Sequence, residues 1–248
     1  MTPGKPNPPA VYKLGRIAFS IENGLPPFLG NLEILLPRCT DADESEIHHV
    51  STNDLRELQN RIFALHEGCL WLDAGCLITP NGKRVLIVGR SGAGKSTTTM
   101  ALALAYDWKV IAEDILLIDF NKDELITFGA PFSLKPGTKE LLRDSIGKVP
   151  DPIVMVEWSP LGKMSAPSGA SAFFDVCFVF TRTYQESNFR VTELSAGEYY
   201  RKCLPISNII RVPEAGEKLL SYVSTAQCFE IEDGTLDERL KKILQLCQ

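Results

Sequence analysis

Nine consecutive residues, Gly89-Arg90-Ser91-Gly92-Ala93-Gly94-Lys95-Ser96-Thr97, constrain this chain more than any other feature. The first eight satisfy the pattern Gly-x4-Gly-Lys-Ser. They follow a run, Arg84-Val85-Leu86-Ile87-Val88, that reads as a buried strand, and they precede a predicted helix from Thr97 to Tyr106. The glycines let such a loop curl until successive backbone N–H groups face one anion. The start of the helix adds the positive end of its dipole. Lys95 is expected to bridge the β- and γ-phosphates of a nucleotide, and the Ser96 hydroxyl to ligate Mg²⁺. No Asn-Lys-x-Asp guanine motif occurs, so ATP is the expected nucleotide.

Around this loop the pattern alternates strand and helix, which predicts an α/β fold with a largely central sheet. Residues 1–10 are Pro-rich and read as a disordered lead-in. Residues 11–52 form an N-terminal extension, with a strand from Val11 to Ile21 and another from Leu32 to Leu36. Residues 53–248 form the main domain. Within it, Asn53 can cap a helix whose stripe is Leu55, Leu58, Ile62, Phe63 and Leu65. Cys69 to Leu72 and Cys76 to Ile78 read as short strands, and Asn81-Gly82 as a tight turn. Further strands are expected at Val110-Ile111-Ala112, Ile115 to Ile118, Leu125 to Phe128 and Asp175 to Phe180. Two or three helices complete the C-terminal end.

Phosphoryl transfer needs a carboxylate to hold the metal and a base to accept the proton of the acceptor hydroxyl. Glu113-Asp114 supplies two adjacent acids at the exit of an apolar strand, and either could take either role. Asp119 and Asp123 read as turn residues. His66, ending a helix, either donates to the transferred phosphate or interacts with the helix dipole. Arg182, leaving the Cys177 to Thr181 strand, either faces the γ-phosphate or lies on the surface. Leu194-Ser195-Ala196-Gly197-Glu198 mimics the signature loop of ABC transporter ATPases. The Asp-Glu and His which that family needs downstream are missing, because His48, His49 and His66 all precede the loop. A helix cap at Ser195 is the preferred reading.

A net charge of −5, with no Lys/Arg run, argues against nucleic acid as a partner. Seven scattered cysteines without CxxC spacing argue against zinc sites and disulfide frameworks. They suit reduced thiols in a cytoplasmic protein. No apolar stretch approaches the roughly 20 residues that span a membrane, and the N-terminus lacks the apolar core of a signal peptide.

The order of elements resembles the catalytic domain of HPr kinase/phosphorylase and its smaller relatives, which include peptide-modifying kinases of lasso-peptide gene clusters. Four segments carry the resemblance: Leu65-His66-Glu67-Gly68, the loop with its Ser91, Val110-Ile111-Ala112-Glu113-Asp114, and Pro131-Phe132-Ser133-Leu134-Lys135. It covers about residues 60 to 182. Glu113 stands where the family usually has Asp, and the glycine-rich C-terminal signature of HPr kinase/phosphorylase has no clear copy. The resemblance implies a P-loop kinase fold of the HPr kinase/PEP carboxykinase-like type and a homo-oligomer. It also implies an ATP- and Mg²⁺-dependent serine kinase acting on a peptide or small protein. In that scheme Glu113 is the base, Asp114 the metal partner, and Lys95 and His66 act on the phosphate. A nucleotide-binding regulatory protein and a small-molecule kinase are the alternative readings.

Overall fold

The computed structural model describes residues 10–14, 16–21, 39, 43–52, 55–66, 68–126, 132–133, 137–148, 158–159, 170–182 and 189–248. The chain divides into two compact units, Met1–Glu67 and Gly68–Gln248. The helix from residue 55, grouped with the main domain on sequence grounds, therefore falls in the first unit. The expected strand from Leu32 to Leu36 lies outside the described residues, as do Pro131, Leu134 and Lys135.

In the first unit, strands β1 (Val11–Leu14) and β2 (Ile17–Ile21) form an antiparallel pair, where one continuous strand was expected. Strand β3 (Ile47–Val50) adds in parallel to β2, and helix α1 (Leu55–Ala64) follows. Phe19, Leu58 and Ile62 are fully buried.

The second unit is mixed α/β, built on a nine-stranded mixed sheet. Its first strands are β4 (Leu70–Ile78) and β5 (Arg84–Gly89), separated by the turn at Asn81-Gly82 and followed by helix α2 (Lys95–Tyr106). The chain then forms β6 (Lys109–Ala112), β7 (Ile115–Asp119) and β8 (Glu124–Ile126). Short strands β9 (Phe132–Ser133) and β10 (Trp158–Ser159) pair with each other, with helix α3 (Thr138–Ile146) between them in sequence. Strand β11 (Ala170–Ser171) pairs with β8 at the sheet edge. Next come β12 (Val176–Thr181), β13 (Arg190–Leu194) and helices α4 (Ala196–Cys203) and α5 (Pro213–Val223). Strand β14 (Gln227–Glu232) and helix α6 (Leu236–Leu246) end the chain.

The order across the sheet is β11-β8-β7-β4-β5-β12-β14-β13, with β6 also paired to β4. Strands β5, β12 and β14 run parallel, so all three deliver their C-terminal ends to one edge. Strands β5 and β12 are apolar on both faces, as strands covered on both sides must be, whereas β14 buries Glu230 on the face of Cys228. Leu86, Val88, Cys177, Val179 and Cys228 pack with Tyr199, Cys203, Leu219 and Tyr222 of α4 and α5. The alternate residues Val85, Ile87, Phe178, Phe180 and Ile231 pack with Met100, Leu102, Leu240 and Ile243 of α2 and α6. Burying each of these large side chains contributes about 1.5–3 kcal/mol. The result is a rigid helix–sheet–helix sandwich with the glycine-rich loop on its upper rim.

Candidate phosphate and metal site

The loop leaves β5 at Gly89, whose backbone lies against β12: a Cβ there would come 2.6 Å from the Phe180 carbonyl oxygen. Gly92 and Gly94 have φ of 85° and 95°, a region that costs other residues steric strain. Between them Ala93 N–H closes a turn on the Arg90 carbonyl at 3.1 Å. Gly94 then caps α2, whose first N–H groups have no acceptor within the helix and face out of its start. The strand–loop–helix arrangement expected from sequence is present, with α2 beginning two residues earlier than expected.

Arg239, from α6, anchors the loop from beneath. Its Nη1 donates to the Ala93 carbonyl at 2.6 Å and its Nε to the Asp233 carbonyl at 2.8 Å, while its guanidinium lies 5.1 Å from the Phe180 ring centroid. Burial, together with the nearby Arg182 charge, lowers its pKa from the usual arginine value. Sequence reasoning missed Arg239 because it is 146 residues from its partner and sits in an ordinary amphipathic helix.

Lys95 is buried, and its Nζ lies 2.7 Å from Asp73 Oδ1 and 2.5 Å from the Gly89 carbonyl oxygen. Strand register explains the meeting. The antiparallel pair Ala74↔Val88 closes the β4–β5 ladder, and one further step brings Asp73 level with Gly89. Asp73 is thus a second residue missed by sequence reasoning, which took residues 73–75 as a break between two strands. They are continuous strand: a Cβ at Gly75 would collide with Thr99 Oγ1, so glycine here lets α2 sit close on β4.

The same strand positions the two acids. Strands β6 and β7 run along β4 in matching register on either side of Glu113-Asp114, as Cys76↔Ala112 and Asp73↔Ile115. Between them the chain kinks. Asp114 has a φ of 70°, Ile115 N–H donates to the Glu113 carbonyl at 2.9 Å, and Ala74 N–H donates to the Asp114 carbonyl at 3.1 Å. A bond from residue i to i+2 around a positive φ marks the rare, strained form of γ-turn. Such strain persists only where the surroundings enforce it, here the ladder on both sides. The kink sets the Glu113 carboxylate against Ser96, whose hydroxyl donates to it. Burial pushes the Glu113 carboxyl up to about 7, and Asp114 and Asp73 add to the rise, while the Ser96 bond and Lys95 oppose it. Lys95, Ser96, Glu113, Asp114 and Asp73 therefore form one cluster at the loop.

His66 is buried in the first unit, where Nδ1 lies 2.9 Å from the Ile62 carbonyl oxygen and Nε2 3.1 Å from that of Leu14. Both ring nitrogens face backbone acceptors, so the ring ties β1 to the end of α1. Arg182 is exposed at the end of β12. Ser195 caps α4 in a full capping box with Glu198, as expected. Asp123, at φ 53°, accepts from Tyr222 Oη at 2.6 Å and Lys218 Nζ at 2.9 Å. None of the seven cysteines is joined in a disulfide.

The cluster offers hydroxyl and carboxylate oxygens, the donor set that suits Mg²⁺. Among the described residues no three His, Cys, Asp or Glu side chains converge to hold a metal alone. Mg²⁺ does not require such a cage, since it usually takes one or two carboxylates and completes its shell with waters and phosphates. Among the described residues no helix is long and apolar enough to cross a membrane. No protein-family model matches this chain, and no curated protein matches it in sequence.

Proposed function

We propose that this chain is an ATP-dependent kinase that transfers the γ-phosphate to a serine or threonine hydroxyl of a peptide or small protein. The observation carrying this reading is the hydrogen bond from Ser96 to Glu113. It joins a phosphate cradle to a half-buried carboxylate whose pKa is raised to about 7. A protein that only binds nucleotide has no need of a base held there, and a base works best with a pKa close to the working pH. The resemblance to HPr kinase-like proteins, through Glu113-Asp114 and the loop, supports the same chemistry and the finer fold assignment.

In this reading the loop N–H groups and Lys95 bind and orient the triphosphate. Lys95 exchanges its bond to the Gly89 carbonyl for phosphate oxygens, and the retained contact with Asp73 keeps its ammonium aimed at the cradle. Ser96 and Asp114 would hold Mg²⁺, which neutralises charge on the phosphates. Glu113 accepts the proton of the acceptor hydroxyl as its oxygen bonds to the γ-phosphorus. The bond from phosphorus to the bridging oxygen breaks, and ADP leaves with the electron pair.

The test is incubation of the purified chain with Mg-ATP and candidate peptides encoded near it, followed by mass spectrometry. The expected product is a peptide heavier by one phosphoryl group on a serine or threonine. Phosphorylation of free serine or another metabolite, with none of any peptide, would instead support a small-molecule kinase. ATP binding without any transfer would support the regulatory reading.

A further inference from the structure

Beneath the loop lies the buried guanidinium of Arg239, and topology explains how it gets there. Strand β14 runs parallel to β12 and ends at the same sheet edge as β5. A two-residue turn, Asp233-Gly234, with φ of 48° and 82°, reverses the chain at that edge. Asp233 N–H donates to the Thr181 carbonyl at 2.9 Å, which ties the turn to the end of β12. Thr235 then starts α6 with a capping box to Glu238, and Arg239 is the fourth residue of that helix. It therefore still lies at the rim. The far end of α6 sits at the opposite edge, where Lys83 Nζ, just before β5, donates to the Gln248 carbonyl.

The Nε bond to the Asp233 carbonyl and the Phe180 ring beside the guanidinium fix its orientation. The 2.6 Å bond from Nη1 to the Ala93 carbonyl is charge-assisted, and such bonds are about twice as strong as neutral ones. Glycine at position 94 permits the close approach, since a Cβ there would come 2.5 Å from Nη1. The Ala93–Gly94 peptide is planar and trans, so its N–H points opposite to its C=O. With the carbonyl held by Arg239 from below, the Gly94 N–H is turned away from α6. The next carbonyl, that of Gly94, accepts from Thr98 N–H at 3.0 Å in the first turn of α2. The two peptides flanking Gly94 are thus set by different elements, one by α2 and the other by Arg239.

We propose that Arg239 is a positioning residue for phosphate binding: by holding the Ala93 carbonyl it keeps the Gly94 N–H aimed at the bound phosphate. The inference rests on the reading of the loop as a phosphate cradle and does not depend on transfer. A peptide free to rotate has to be ordered when phosphate binds, and that ordering weakens affinity. A donor already fixed in place needs no such reorganisation. The C-terminal helix thereby becomes part of the phosphate site, although it touches no phosphate itself.

The test is calorimetry of Mg-ATP and Mg-pyrophosphate with the full chain, joined to thermal melts and to backbone NMR of the Gly94 amide. Arg239→Met keeps an unbranched side chain but removes the donors, and should weaken both ligands by about tenfold or more. Arg239→Lys restores one charged donor and should recover part of that loss. Ile243→Val trims a fully buried side chain one turn further along the same helix. It should lower the melting temperature and keep both affinities within about twofold. A merely structural role for Arg239 would give that same result: a lower melting temperature with the affinity of the folded protein unchanged. In the wild type the Gly94 amide proton should move downfield when Mg-pyrophosphate is added, and at saturation it should move less in Arg239→Lys. Affinities within about twofold of wild type in the Arg239 variants, or a full Gly94 shift in Arg239→Lys, would overturn the proposal. Where Arg239→Met does not fold, Arg239→Lys decides alone. Weakened binding in the variants of a chain that transfers no phosphate would leave the role of Arg239 standing and count against the kinase reading. A wild type that binds neither ligand would overturn both.

Discussion

Lys95→Ala is expected to lower phosphoryl transfer by about 10²–10³-fold and to weaken Mg-ATP binding. It removes a buried ammonium at the cradle, and donors aimed at developing phosphate charge are worth about 10²–10³ in rate each. The fold should survive, because the partner released, Asp73, is half-buried at the rim and can take water. Steady-state transfer of labelled phosphate, together with calorimetry of Mg-ATP, measures both effects. Unchanged turnover and unchanged affinity would contradict the role of the loop.

The acids at the kink should separate in a double comparison. Asp114→Asn is expected to weaken nucleotide affinity only when Mg²⁺ is present, since a metal ligand acts in the ground state as well as the transition state. Glu113→Gln should retain affinity and lose about 10²–10⁴ in turnover, the usual worth of a positioned base. The same variant carries a pH signature in protein free of metal and nucleotide. The folded Glu113 carboxyl titrates at about 7 against an ordinary value of 4.5, so folding favours its protonated form. That stabilisation is complete below about pH 4.5 and is lost as the pH rises through 7. Glu113→Gln stays neutral throughout and should gain stability over the wild type between pH 5 and 8. The expected gain is roughly 1–3 kcal/mol, since the group is only half-buried. Thermal melts at the two pH values read the difference. An equal gap at both values would remove burial as the cause of the raised pKa.

The cradle was legible because its four fixed positions, Gly89, Gly94, Lys95 and Ser96, lie within eight contiguous residues flanked by strong local patterns on both sides. The helix cap at Ser195 was legible for the same reason, with donor and acceptor three residues apart. Asp73 and Arg239 were not, because each reaches the loop through tertiary structure. Asp73 arrives through the register of an antiparallel strand, and Arg239 through helix packing across 146 residues. Reading β4 as two pieces hid Asp73, since Asp73-Ala74-Gly75 has the composition of a turn and only the close approach of α2 makes it strand. The hairpin in the first unit was hidden because only two residues separate Leu14 from Ile17, too few to stand out as a break. Strand β14 was overlooked because its buried Glu230, with Gln227 and Glu232 at its ends, disguises an inner strand. The mixed α/β class followed from alternation alone, whereas strand order depends on pairings that no local pattern encodes.

Amide hydrogen exchange, followed by mass spectrometry with and without Mg-ATP, tests the central claim most directly. The loop N–H groups are the proposed phosphate ligands, so their exchange reports the bound phosphate itself. Peptides covering residues 89–97 should gain at least about tenfold protection, with a smaller gain at residues 113–115. Lys95→Ala should lose most of both. Saturation with Mg-ATP and no change at residues 89–97 would contradict the account.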